Sequence, residues 1–149
     1  MSRLKTKVQE VYFDICDAID EGIVVRIDGL INVRQGGCMK YITHNDAGSN
    51  INTNRTHLQG AIVCTFADLT NTFGNPMKDG FDDYKSDAEW NVQFEDGSVA
   101  TIYNYKNGKN YCGADGLEVW EITQWNIGGH EMDCVHHVRN AVAHVKENV

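Results

Sequence analysis

The sequence carries a single proline, Pro76, in 149 residues, and no stretch approaching the roughly 18 consecutive apolar residues of a membrane helix. Without Pro-rich or Gly/Ser-rich linkers, one domain spanning 1–149 is the economical reading. The basic start, Met1 to Lys7, is followed by an amphipathic run and not by the apolar core of a signal peptide. Neither secretion nor a membrane partner is therefore expected, and the cytoplasm is the expected location. Asn54-Arg55-Thr56 matches a glycosylation sequon that has no meaning there. Positive charge is also scarce, with 13 Lys+Arg against 21 Asp+Glu and a net charge of −8. General binding to duplex nucleic acid needs a basic face and is disfavoured on that balance. A small anion in a locally basic pocket is not.

Cysteine is present but unpaired in pattern. Cys16, Cys38, Cys64, Cys112 and Cys134 are odd in number, and no two stand at Cys-x-x-Cys spacing. That argues for reduced thiols and against a structural zinc site. The phosphate loop Gly-x-x-x-x-Gly-Lys and the dinucleotide fingerprint Gly-x-Gly-x-x-Gly are both missing. No cofactor, metal site or catalytic residue is assigned from the sequence.

What is there is an α+β pattern, with helices at both ends and an antiparallel sheet of about five to six strands between them. Leu4, Val8, Val11, Tyr12, Ile15, Cys16 and Ile19 recur at helical spacing, and Gly22 follows as a cap. Residues 23–27 and 30–34 read as strands around an Asp28-Gly29 hairpin turn. Residues 44–57 are polar and without period, a loop long enough to suggest function. A buried strand over 58–64 leads to a short helix capped by Thr65 and closed by Gly74, Asn75 and Pro76. Residues 89–95 alternate with period two, and Asp96-Gly97 offers a two-residue turn into 98–106. Read that way, Phe94 faces Val99, Val92 faces Thr101 and Trp90 faces Tyr103, with Gln93, Asn91 and Glu89 on the other side. Residues 119–127 form the last strand, ended by Gly128-Gly129. Cys134, Val135, Val138, Ala141, Val142 and Val145 mark the closing helix, each buried valine contributing about 1.5–3 kcal/mol before entropy.

His130, Cys134 and His137 fall at helical spacings that could place them on one metal-binding face. A buried cysteine bordered by histidines accounts for them better, since no fourth ligand is evident. Asp79, Asp82, Asp83 and Asp87 do not follow the ligand spacing of a calcium loop, and Asn50, Asn52 and Asn54 lack enough carboxylates. Cys64 ends an apolar run and Cys134 lies on the core side of its helix, so neither has the electropositive setting of a nucleophile.

A polar and aromatic cluster is left. Tyr103, Tyr105, Lys106, Asn107 and Lys109 crowd one hairpin end, Trp125 and Asn126 close the last strand, and Asn54 and Arg55 sit in the long loop. Aromatic faces stack on bases, amides pair with base edges, and Lys or Arg binds phosphate. These nine residues are the candidate ligand-binding set, and a nucleotide is the ligand class they suit. Tyrosines and lysines that merely protect a sheet edge would produce the same cluster.

The segment Asp83-Tyr84-Lys85-Ser86-Asp87-Ala88-Glu89-Trp90 through Ile102-Tyr103-Asn104-Tyr105-Lys106 resembles a motif of small proteins from bacteriophages and some large viruses. Phe73-Gly74-Asn75-Pro76 before it and Trp125-Asn126-Ile127-Gly128-Gly129 after it belong to the same pattern, so the likeness covers residues 65 to 130 or so. It implies a counter-defence factor acting in the host-cell cytoplasm. One such class, the nucleotide sponges, works as homo-oligomers that sequester a cyclic nucleotide or cyclic ADP-ribose-type immune signal without cleaving it. The resemblance implies no individual binding residue. The rival expectations are an acidic inhibitor of a host enzyme and a small nucleotide hydrolase.

Overall fold

The structure, a computed structural model, describes residues 24–27, 31–34, 39–46 and 51–148. The expected helix over 4–19, the turn at Asp28-Gly29 and part of the long polar loop lie outside them. The fold is α+β. Seven strands form one sheet in the order β1-β2-β3-β5-β6-β7-β4. They are β1 Val24–Ile27, β2 Ile31–Arg34, β3 Tyr41–Thr43, β4 His57–Val63, β5 Glu89–Phe94, β6 Val99–Tyr103 and β7 Gln124–Gly129. Every pairing is antiparallel. The helices are α1 Phe66–Phe73, α2 Lys109–Cys112 and α3 Asp133–Glu147.

The sheet exceeds the expected five to six strands because β3, only three residues long, is too short to show a period. The last strand also moves. Residues Val119–Glu121 form a 3-10 turn, closed by reciprocal Glu118 and Glu121 bonds, and the strand starts at Gln124. Gly128 and Gly129 lie inside it, where they were expected to end it.

The β5–β6 register differs from the expected pairing by one residue. Phe94 N–H donates to Ser98 O (2.8 Å) and Gly97 N–H donates to Phe94 O (2.9 Å). The turn therefore holds three residues, Glu95, Asp96 and Gly97, with Gly97 at φ +89° in the left-handed region. One residue more in the turn shifts the ladder: Trp90 faces Ile102, Val92 faces Ala100, and Tyr103 faces Glu89. Tyr103 thus leaves the Trp90 face and joins the polar one.

Trp90, Val92, Phe94, Ala100, Ile102, Trp125, Ile127 and Ile62 pack with Leu69 and Phe73 of α1 and Cys134, Val135, Val138, Ala141 and Val142 of α3. Both helices cover this face. Trp90, Trp125 and Phe66 meet ring to ring, Trp90 and Trp125 at 5.4 Å and near-perpendicular. The polar atoms of the core aromatics are satisfied by backbone: Trp90 Nε1 donates to Gly74 O (2.7 Å), Trp125 Nε1 to Cys64 O (3.2 Å), and Tyr41 OH to Thr72 O (2.9 Å). Thr65 starts α1 through a capping box with Asp68, as its side chain accepts from Asp68 N and its N–H donates to Asp68 Oδ2.

Candidate functional site

The polar end of the β5–β6 hairpin is built from a loop pinned by asparagines. Asn104, fully buried, accepts from the N–H groups of Asp87 (2.8 Å) and Ala88 (3.2 Å). Its amide donates to Asp87 Oδ1 and Asn107 Oδ1, both at 2.9 Å. Asn110 donates to the carbonyls of Asp83 (2.8 Å) and Ser86 (3.0 Å). Gly108 must be glycine here, since a Cβ would collide with the Asp87 carboxylate. These bonds hold residues 82–88 against residues 104–112.

The surface they create carries Tyr84, Tyr105 and Tyr111, exposed by 62%, 47% and 40%. Lys106 Nζ stands 5.1 Å from the Tyr105 ring centre and 5.2 Å from that of Tyr111. Tyr84 and Tyr111 lie 5.2 Å apart, ring centre to ring centre. The backbone of Lys106 is left-handed, at φ +58°. Its N–H donates to Lys85 O (2.8 Å), and the Cys112 thiol donates to its carbonyl (3.3 Å). A side chain kept at such a position, where glycine would be easier, points to a use for that side chain. Hydrogen bonding with Tyr105, and the charge of that phenol, raise the Lys106 pKa further, so the ammonium is charged.

Beside this patch a polar row crosses the sheet on the face away from α1 and α3. Glu89 of β5 faces Tyr103 of β6, and Tyr103 faces Asn126 of β7. The next positions inward are Asn91, Thr101 and Gly128. With its amide turned so that both ends are satisfied, Asn91 Nδ2 donates to Glu89 Oε2 (3.1 Å) and to Trp90 O (3.2 Å). Gly128 leaves room for Thr101, because a Cβ there would lie 2.6 Å from Thr101 Oγ1. Burial pushes the Glu89 carboxyl up to about 7, and the charge of Asp82 adds to the effect. Burial, then the Glu89 charge, raise the Tyr103 phenol.

The nine expected site residues do not meet in one place. Tyr103, Tyr105, Lys106 and Asn126 are brought together. Asn107 and Lys109 lie in the same loop with their side chains in use, Asn107 on Asn104 and Lys109 on Ala114 O (3.1 Å) and Glu118 (3.6 Å). Trp125 has no exposed surface and belongs to the core, so it cannot stack on a ligand. Alternation alone decides this: Asn126 and Trp125 are neighbours and must face opposite sides. Asn54 and Arg55 precede His57, which pairs with Gly129 at the far end of β7. His130 contacts Asn54 O there (2.8 Å). Along β7, Gly129 lies three residues from the Asn126 that faces Tyr103, roughly 10 Å at about 3.3 Å per residue, and Asn54 and Arg55 lie beyond it. Arg55 and Asn54 therefore leave the candidate site.

Glu89, Asn91, Thr101 and Tyr84 were not among the expected site residues. The period-two alternation already placed Glu89 and Asn91 on the polar face. What it lacked was the third turn residue that moves Tyr103 onto the same face.

The histidines and cysteines of the metal hypothesis have other partners. Cys134 is buried against Gly129, His137 bonds Asp96 (2.9 Å), and His130 bonds Asn54. Burial pushes the Cys64 thiol up to about 12, out of nucleophilic range. A groove of about 540 Å³ runs between β4 and α3, lined by Ala61, Val63, Gln124, Arg139, Val142 and Lys146 among others. Its two cations are engaged, Arg139 on Ala61 O (2.7 and 3.2 Å) and Lys146 on Asp68 (3.7 Å). No described helix is long and apolar enough to cross a membrane. No protein-family model matches the chain, and no curated protein is similar to it.

Proposed function

We propose that this protein binds a small nucleotide-type signal at the Tyr84, Tyr105, Tyr111 and Lys106 patch and holds it without cleaving it. The observation that carries the reading is three exposed tyrosine rings gathered around a lysine held in left-handed backbone. Tyrosine faces stack on bases at about 1–3 kcal/mol each, and the lysine neutralises phosphate. A cyclic nucleotide or cyclic ADP-ribose-type immune signal supplies both groups, which fits a counter-defence sponge of viral origin. The patch is open, so a neighbouring subunit closing over it is part of the proposal.

Titration calorimetry with cyclic mononucleotides, cyclic dinucleotides and cyclic ADP-ribose tests it. The expected result is micromolar or tighter binding of at least one of them, lost in Tyr105→Ala. Heat-denaturing the complex should return the ligand chemically intact. No binding across the panel overturns the reading.

One observation favours a second reading. A half-buried glutamate titrating near 7 is a suitable general acid or base, so a nucleotide hydrolase centred on Glu89 is the rival. Release of a cleaved ligand, with cleavage abolished in Glu89→Gln, would establish that reading instead.

A further inference from the structure

We infer that the row Glu89–Tyr103–Asn126 reads the edge of the bound base, and that the edge it fits presents two adjacent N–H donors beside a carbonyl, as guanine does. This rests on the proposal that the tyrosine–lysine patch binds a nucleotide. Three facts support it. The row adjoins the patch: Tyr103 stands two residues from Tyr105, close enough for the two phenols to interact, while Asp82, which acts on Glu89, belongs to the loop that carries Tyr84. A base stacked on the tyrosines would therefore turn one edge towards the row.

The second fact is the state of Glu89. Among the described residues no cation offsets its charge, and the charge acting on it is that of Asp82, which repels. Among the described residues its side-chain hydrogen-bond partner is the Asn91 amide, at 3.1 Å. A carboxylate accepts through two oxygens with about four lone-pair positions, so acceptor capacity remains. Paired N–H donors from a base are the neutral group that would satisfy it. The third fact is the neighbour in the row. Asn126, half-buried and facing Tyr103, offers an amide donor to the base carbonyl two strands away from Glu89. Adenine, with one donor and one acceptor on that edge, satisfies the ionised carboxylate less well.

The ionisable groups facing Glu89 among the described residues are Asp82 from the loop and Tyr103 from β6; β5 and β7 contribute the neutral Asn91 and Asn126. N–H donors favour the ionised form, so guanine binding tightens as pH rises from about 6 to about 8.

The test is calorimetry with 3′,5′-cyclic GMP, cyclic IMP and cyclic AMP against the full chain and Glu89→Gln. Cyclic IMP lacks the exocyclic N–H, and the expected result is binding about tenfold weaker than cyclic GMP, the worth of one charge-assisted hydrogen bond. In Glu89→Gln that preference disappears while stacking-driven binding remains. Equal binding of all three nucleotides, or a guanine preference kept by Glu89→Gln, overturns this inference and leaves the sequestration proposal standing. No binding of any of the three, with another nucleotide of the panel bound, overturns it likewise. No binding of any nucleotide overturns both.

Discussion

Glu89 and Lys106 are two residues at which this fold departs from what stability alone would select; Arg55 shares the left-handed backbone of Lys106. The Glu89 carboxyl, raised by burial and by Asp82 to about 7 from an ordinary 4.5, holds its proton more tightly folded than unfolded. Its contribution to stability is therefore complete below about 4.5 and is lost as pH rises to and through about 7. The loss is at most about 3 kcal/mol. Glu89→Gln removes the ionisation and keeps the shape. Urea unfolding should find the variant more stable than the parent at pH 8 and close to it at pH 5. Equal stabilities at both pH values would show that Glu89 is not desolvated. Lys106 makes the complementary case, because its cost lies in the backbone. Glycine adopts a left-handed φ without a Cβ penalty, so Lys106→Gly should leave the thermal midpoint unchanged or raised. Nucleotide binding should fall at least tenfold, the order expected for a lost charge-assisted contact. A lower midpoint with binding intact would make Lys106 a structural residue.

At the scale of elements, the β5–β6 hairpin decides where the site lies, and α3 holds its turn in place. Asp96 accepts from Ser98 N (2.9 Å) and Ser98 Oγ (2.6 Å) within the turn, and bonds His137 Nε2 (2.9 Å) on α3. Burial pushes the Asp96 carboxyl up, but the Ser98 bonds and His137 outweigh it and hold it below its ordinary 3.8. A depressed carboxylate stabilises the fold above its unfolded pKa, and that stability is lost as pH falls through the folded value. His137→Ala should speed hydrogen exchange at the Gly97 and Ser98 amides and leave exchange in β7 unchanged. Exchange at the turn indifferent to the substitution would show that the pair is incidental. The alternation of β5 was legible because its inward residues are large and apolar, and both helices of the described core followed from stripes such as Val135, Val138 and Val142. The turn length was not legible. Asp96-Gly97 is compatible with a two-residue or a three-residue turn, and the longer one is accompanied by the Ser98–Asp96 and His137–Asp96 bonds, which the sequence does not reveal. Most of the candidate site hinges on that one residue, since it carries Tyr103 from the Trp90 face to the Glu89 face.

For the whole molecule, Trp125 and Tyr105 mark the contrast, one sealed in the core that α1 and α3 close and the other exposed in the loop after β6. Composition and spacing drew both into one aromatic cluster, because a sequence shows which rings are near in order but not which face the pleat gives them. Trp125 is fully buried, with Trp90 at 5.4 Å and Phe66 at 6.4 Å, and belongs to the packing that α1 and α3 close. Trp125→Phe keeps a ring in place but leaves a void and the Cys64 carbonyl without its indole donor. A loss of about 1–3 kcal/mol follows, read as a lower urea midpoint, with nucleotide affinity unchanged under conditions where the variant stays folded. Tyr105→Ala, at an exposed ring outside the core, should do the reverse: an unmoved midpoint and a binding loss of about tenfold or more. If Trp125→Phe weakens binding while circular dichroism and the midpoint stay at parental values, the ligand reaches the helical face, and the assignment of function to the opposite one is wrong.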